Sequence, residues 1–344
     1  MVAFDNRRPN VVAFGDSNEY VFGPALRRHL VEDGGFAAEQ IVVKYRTSSR
    51  PRNWLRRTDG LYDGDFGELW RQLDAFPEGP PVADALSPAT VLVEIGLGGN
   101  LGLSGAEQRS IPTLVEQVLR AAPNARIVWR GPPPATASHD GAVAPPAVKL
   151  ARYERNAMLK RALSSLGFVV IGPDHGSACG VTRGYLDLIA MHAGGPAPAD
   201  THETGTEAAH AYERAVLANA HDGADTRGER PAAGPWREFV RGRDAMPVHV
   251  PAEAALALMR GVLAPMELFP LQPPARPPGG YAASVVVGDA WVRTGPPKFR
   301  WLEPQLIPMG TDLLVLDWAE GYGLVRGFDG REWGWTALSN LRFR

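Results

Sequence analysis

Val11-Val-Ala-Phe14-Gly15-Asp16-Ser17 is the stretch on which the reading of this chain turns. Four apolar residues, two of them β-branched, stop abruptly at Gly-Asp-Ser, the pattern of a buried strand breaking into a turn. The same alternation repeats downstream. Residues Pro24 to Asp33 place Leu26, Leu30 and Val31 at a helical period, and Ile41-Val-Val-Lys-Tyr45 is a second strand. Phe66 to Phe76 reads as a helix with Leu69, Trp70 and Leu73 on one face. Thr90 to Ile95 is a third strand that runs into Gly96-Leu-Gly98-Gly99-Asn100, and Ile111 to Ala121 is helical. Ala125 to Arg130 is a fourth strand, stopped by Gly131-Pro-Pro-Pro134, and Phe168 to Ile171 is a fifth, after a helix over Leu150 to Leu166. Thr206 to Ala220 is a final helix. Near-continuous apolar strands alternating with helices predict an α/β fold with a parallel sheet covered on both faces. Ligands in such sheets sit beyond the carboxyl ends of the strands.

The chain has 344 residues, net charge −2, one cysteine (Cys179), 38 glycines, 31 prolines and 9 tryptophans. So much glycine and proline excludes a long helical bundle. The near-balanced charge gives no reason to expect nucleic acid as a partner. A single cysteine excludes an intramolecular disulfide and offers no thiolate metal site, and no cofactor or metal is expected. No apolar run is long enough to span a bilayer. The N-terminus has no apolar leader core, so the cytoplasm is the default expectation for location.

Leu271-Gln-Pro-Pro-Ala-Arg-Pro-Pro-Gly-Gly280 is stiff proline followed by flexible glycine, a linker signature. It divides the chain into an α/β domain over residues 1–265, a linker over 266–280 and a C-terminal unit over 281–344. Pro251 to Leu263 spaces Leu256, Met259, Arg260 and Leu263 as a helix. The last unit shows only short strand-like pieces: Ser284–Val287, Trp291–Arg293, Leu313–Trp318, Gly323–Arg326 and Trp333–Trp335. They predict a small all-β barrel. Trp301 and Trp318 are its candidates for an exposed ligand surface, and core positions are the alternative for its tryptophans.

Three segments can carry chemistry. Ser17, on the turn after the first strand, has an exposed hydroxyl and neighbouring N–H groups open to an anion, or else it caps the following helix. Asn100 ends a glycine-rich turn at the same edge. Its amide can stabilise an oxyanion, or the residue can simply tolerate a left-handed turn. The loop departs from dinucleotide-binding spacing, and no Walker-type lysine follows it. His202 lies beside Asp200 in a Pro/Gly-bounded loop before a helix, where a general base can sit. No second histidine is spaced for a metal.

Phe14-Gly-Asp-Ser17-Asn18, Gly98-Gly-Asn100 and the Asp200/His202 loop, in that order, resemble the SGNH/GDSL hydrolases over about residues 8–220. The resemblance implies a flavodoxin-like three-layer sheet. It implies Ser17 as nucleophile, His202 as base with Asp200 orienting it, and an oxyanion hole of Asn100 and the Ser17 N–H. Asp16, Gly98 and Gly99 would line the substrate. The chain departs from the family pattern in three places. No glycine follows the second strand, so the third oxyanion N–H comes from Thr47 or Arg46, or the hole has only two donors. Asp200 lies two residues before His202 where the family has three, so either it orients His202 through a shifted loop or the site is a Ser–His dyad with a backbone carbonyl in the acid's place. Leu101 stands where an aspartate often follows the asparagine. Arg130-Gly-Pro-Pro-Pro134 is also similar to the family and shapes the pocket rim.

Trp291-Val-Arg-Thr-Gly-Pro296, Gly310 to Leu316, Tyr322 to Arg326 and Asp329 to Trp335 resemble bacterial Src-homology-3-type domains, which often bind cell-wall peptides. Together the two resemblances imply a serine esterase acting on O-acetyl groups of peptidoglycan or another polysaccharide. The barrel would be a tether to cell-wall or peptide ligands and would point to the envelope or the exterior. The alternative is an inactive hydrolase-like scaffold whose barrel does the binding.

Overall fold

The computed structural model describes residues 4–46, 49–55, 80–102, 104–133, 146–171, 180–193, 252–263, 277, 279–295, 301–319 and 321–343. The first part is built on β1 (Asn10–Gly15), α1 (Glu19–Glu32), β2 (Ile41–Tyr45), the short α2 (Val82–Ala85), β3 (Thr90–Gly96), α3 (Gly105–Ala121) and β4 (Arg126–Arg130). It continues with α4 (Pro146–Ser164), β5 (Val169–Ile171), β6 (Arg183–Leu186), α5 (Leu188–Ala193) and α6 (Ala252–Leu263). The six strands form one parallel sheet in the order β2-β1-β3-β4-β6-β5.

Period-two alternation along β1 explains the layers. Val11 and Ala13 face one side and join Phe22, Leu26 and Leu30 of α1 and Leu256, Met259 and Leu263 of α6 in one core. Val12 and Phe14 face the other, with Ile111, Leu114 and Val118 of α3 and Leu159 and Leu163 of α4. Both faces are covered, so every residue of β1 and β3 is buried. Each buried leucine or phenylalanine contributes roughly 1.5–3 kcal/mol. The α6 segment is the helix expected over 251–263. Its Arg260 reaches Glu32 and Asp33 of α1, both at 2.7 Å.

The sequence reading missed β6, which inserts between β4 and β5. Arg183-Gly-Tyr-Leu186 is too short and too mixed to read as a buried strand, yet Tyr185 and Leu186 are wholly buried. The helices expected over 66–76 and 206–220 lie outside the described residues.

Strands β7 (Tyr281–Val285), β8 (Asp289–Arg293), β9 (Trp301–Pro308), β10 (Asp312–Ala319), β11 (Tyr322–Gly327), β12 (Glu332–Ala337) and β13 (Leu341–Phe343) form a separate antiparallel sheet, in the order β13-β7-β10-β11-β12-β8-β9. Ala283, Val285, Ile307, Leu313, Val315 and Leu341 belong to its own core. Strand β9 lies outside the strand-like pieces read from the sequence.

This sheet packs against the first part of the chain. Trp318 Nε1 donates to the Asn6 carbonyl at 2.8 Å, Arg7 Nε donates to the Trp318 carbonyl at 2.9 Å, and Arg7 also pairs with Asp317. Arg342 pairs with Glu116 of α3. Gly321 has φ +76°, and a Cβ there would stand 2.8 Å from the backbone of Ala83 and Asp84. Only glycine fits both the left-handed turn and so close an approach. The expectation that Trp318 offers a ligand surface is therefore corrected. It is 6% exposed, seated edge-on against Tyr281, and its indole N–H is engaged within the chain.

Candidate active site

The site is set by how β1 and β3 end. Gly15 pairs with Gly96, and a Cβ on Gly15 would stand 2.6 Å from the Gly96 carbonyl oxygen. Two residues without side chains let the strand ends touch, and the chain then turns outward at both. Asp16 N donates to the Gly96 carbonyl at 3.0 Å. The Asp16 carboxylate is fully buried and divides its acceptors between the two turns. Oδ1 takes the Asn18 backbone N–H at 2.9 Å and the Asn18 side-chain amide at 2.7 Å, and Oδ2 takes the Gly99 N–H at 3.0 Å. A buried carboxylate needs such donors to offset its desolvation. The turn carrying Ser17 and the loop carrying Asn100 are thereby joined.

Ser17 and Asn100 are the half-buried members of this edge, while Asp16, Asn18, Gly98 and Gly99 are buried. Among the described residues, no partner takes the Ser17 N–H or hydroxyl or the Asn100 amide. Ser17 does not cap α1. The cap position belongs to Asn18, which has helical φ and ψ and makes no side-chain capping bond. Three residues expected to line the substrate are engaged within the chain. Both Asp16 carboxylate oxygens are engaged internally, Gly99 spends its N–H on Asp16 and its carbonyl on Arg155 Nη1 at 3.0 Å, and Gly98 is packed on Pro132. They shape the edge.

Arg46 N donates to the Gly15 carbonyl at 3.0 Å, so it is not an oxyanion donor. Ser49 Oγ donates to the same carbonyl at 3.2 Å and accepts from Trp54 Nε1 at 3.2 Å. Thr47, Asp200 and His202 lie outside the described residues. Trp301 opens β9.

Beneath the edge lies a charge cluster that sequence reading missed. Arg130, at the end of β4, donates from Nε to Glu94 Oε1 at 2.9 Å and from Nη2 to Glu19 Oε2 at 2.6 Å, and lies 4.0 Å over the Phe22 ring. All three charged residues are buried. Burial, then the Glu19 charge, pushes the Glu94 carboxyl well above the usual carboxylate range. Burial also raises Glu19, against the pull of Arg130. For Arg130, burial opposes the charge but Glu94 and Glu19 outweigh it, and the guanidinium stays protonated. The cluster ties the start of α1 to the ends of β3 and β4. The signal for it was Glu94 within an apolar strand, since a charge at such a position must be paired.

Among the described residues, no group of three or more His, Cys, Asp or Glu side chains is arranged to hold a metal. No described helix is long and apolar enough to cross a membrane.

Neither a protein-family model nor a curated protein matches the chain. Sixteen chains of solved structures match it in fold. One from Agrobacterium tumefaciens, provisionally described as an arylesterase, is 17% identical, with a TM-score of 0.37 over 75% of this chain and 97% of that one. An extracellular lipase from Streptomyces rimosus is 15% identical, with a TM-score of 0.29 over 47% of this chain and 78% of that one. A phospholipase A1 from Streptomyces albidoflavus is 14% identical, with a TM-score of 0.32 over 53% and 80%. At these values the reading of the site rests on its own geometry.

Proposed function

We propose that the chain is a serine esterase of the SGNH/GDSL type, with Ser17 as its nucleophile. One observation carries this reading. Both Asp16 carboxylate oxygens and the Asn18 and Gly99 N–H groups are engaged internally, whereas the Ser17 N–H, its hydroxyl and the Asn100 amide have no partner among the described residues. A half-buried serine beside two idle donors is what acyl transfer needs. His202, oriented by Asp200, takes the hydroxyl proton as Ser17 Oγ attacks the ester carbonyl. The Ser17 N–H and the Asn100 amide hold the oxyanion, with Thr47 as a third donor. His202 returns the proton to the leaving alcohol, and water, deprotonated by His202, releases the acyl group from Ser17.

The acyl group is small, an O-acetyl on peptidoglycan or another polysaccharide. The support is the likeness of residues 282–344 to cell-wall-binding modules, with residues 1–265 as the catalytic domain.

Turnover of para-nitrophenyl acetate by the wild type and by Ser17→Ala tests the reading. Loss of roughly 10³-fold or more is expected in the variant. Equal rates overturn it and leave an inactive scaffold.

A further inference from the structure

Arg50, Arg152 and Arg155 surround the loop that presents Asn100. Arg152 and Arg155, three apart on α4, share a helix face. Arg155 Nη1 donates to the Gly99 carbonyl at 3.0 Å, and Arg152 Nη1 donates to the Pro133 carbonyl at 3.1 Å. Arg50 comes from the other side, after β2. A Cβ on Gly102 would stand 3.4 Å from its Nη1. The Gly99 residue thus carries Asp16 on its N–H and Arg155 on its carbonyl, which places the arginine one residue from Asn100.

The three differ from the neighbouring arginines in charge balance. Arg52 pairs with Glu107 at 2.7 Å, and Arg130 pairs with both Glu19 and Glu94. Among the described residues, no carboxylate forms an ion pair with Arg50, Arg152 or Arg155, though all three are half-buried. Of the carboxylates close by, Asp16 is already engaged by Asn18 and Gly99, Glu107 is paired with Arg52, and Glu154 is exposed. Burial holds Arg152 and Arg155 below the usual guanidinium range. At Arg152 the charge of Asp16 opposes this and that of Arg155 adds to it; at Arg155 the charge of Arg50 adds to it and that of Glu154 opposes it. Like charges kept together at such a cost are relieved by a bound anion, and planar guanidinium groups suit carboxylate or phosphate oxygens.

We infer that Arg50, Arg152 and Arg155 form an oxyanion subsite beside Ser17, so that the preferred ester carries a carboxylate or phosphate group near the scissile bond. The inference rests on the reading of Ser17 as an esterase nucleophile.

Two matched ester pairs test it. Mono-para-nitrophenyl succinate against para-nitrophenyl butyrate places the anion on the acyl half. Para-acetoxybenzoate against its methyl ester places it on the alcohol half. In at least one pair the wild type should prefer the anionic member by roughly tenfold or more in kcat/KM, the scale of one charge-assisted hydrogen bond. That preference should fall toward unity in Arg50→Gln and in Arg155→Gln, with thermal melts confirming that each variant is folded. Turnover without a preference in either pair overturns the subsite and leaves the esterase reading standing, as does a preference unmoved by both folded variants. No turnover of any of the four esters overturns the esterase reading, and the subsite falls with it.

Discussion

The Gly99 N–H lies 3.0 Å from Asp16 Oδ2, a hydrogen bond that spans 83 residues of sequence and makes the Ser17 turn and the Asn100 loop one unit. Asp16 therefore acts through geometry. Asp16→Ala strands the Gly99 and Asn18 N–H groups in a buried position and should cost roughly 2–4 kcal/mol in urea unfolding. Asp16→Asn keeps one acceptor and should cost less. In both, kcat should fall more than KM rises, because Asn100 is displaced from where the oxyanion forms. Unchanged kinetics in a destabilised Asp16→Ala would show that the coupling is structural only.

Asn100→Ala is expected to show the reverse pattern. The amide has no described partner, so stability should stay within about 0.5 kcal/mol. The turnover rate should fall by roughly 10²–10³-fold, the usual effect of losing one oxyanion donor. Steady-state kinetics alongside a thermal melt separates the two effects.

The Glu19–Arg130–Glu94 cluster makes stability depend on pH in a defined direction. Burial and then the Glu19 charge raise the Glu94 carboxyl when folded, so the folded chain holds a proton that the unfolded chain releases. The contribution is full below the ordinary carboxylate range and declines as pH rises through the raised folded value. Glu94→Gln fixes the neutral form and should flatten that decline in urea midpoints measured across pH. Arg130→Met leaves Glu19 buried without its cation and should cost about 3–5 kcal/mol.

Trp318→Ala should cost about 3–5 kcal/mol, the range for emptying a large aromatic site. Trp318→Phe should cost about 1–2 kcal/mol, because the Asn6 carbonyl loses the indole donor and keeps only Ser87 Oγ, at 2.6 Å. Calorimetry on the full chain checks both.

The parts of the fold legible in the sequence were those with a strong period. Val11–Phe14 and Thr90–Ile95 are unbroken apolar runs, and both are central strands. Ser17 and Asn100 were legible because each ends such a strand. Strand β6 was not, because its burial comes from β4 and β5 on either side and not from its own composition. Arg152 and Arg155 lie within the helix expected over Leu150 to Leu166, and only the chain topology brings them to the Gly99 loop. Asp16 read as a ligand contact, since sequence does not show that the neighbouring turn supplies its donors.

The bonds between Asn6–Arg7 and Trp318 span 312 and 311 residues of sequence. Contacts so remote close late, because the loop entropy between them is lost before they form. During synthesis Asn6 emerges long before Trp318. The seam formed by these bonds is therefore expected to close late in folding, and a nascent chain halted before β10 keeps the Asn6 carbonyl without its indole partner.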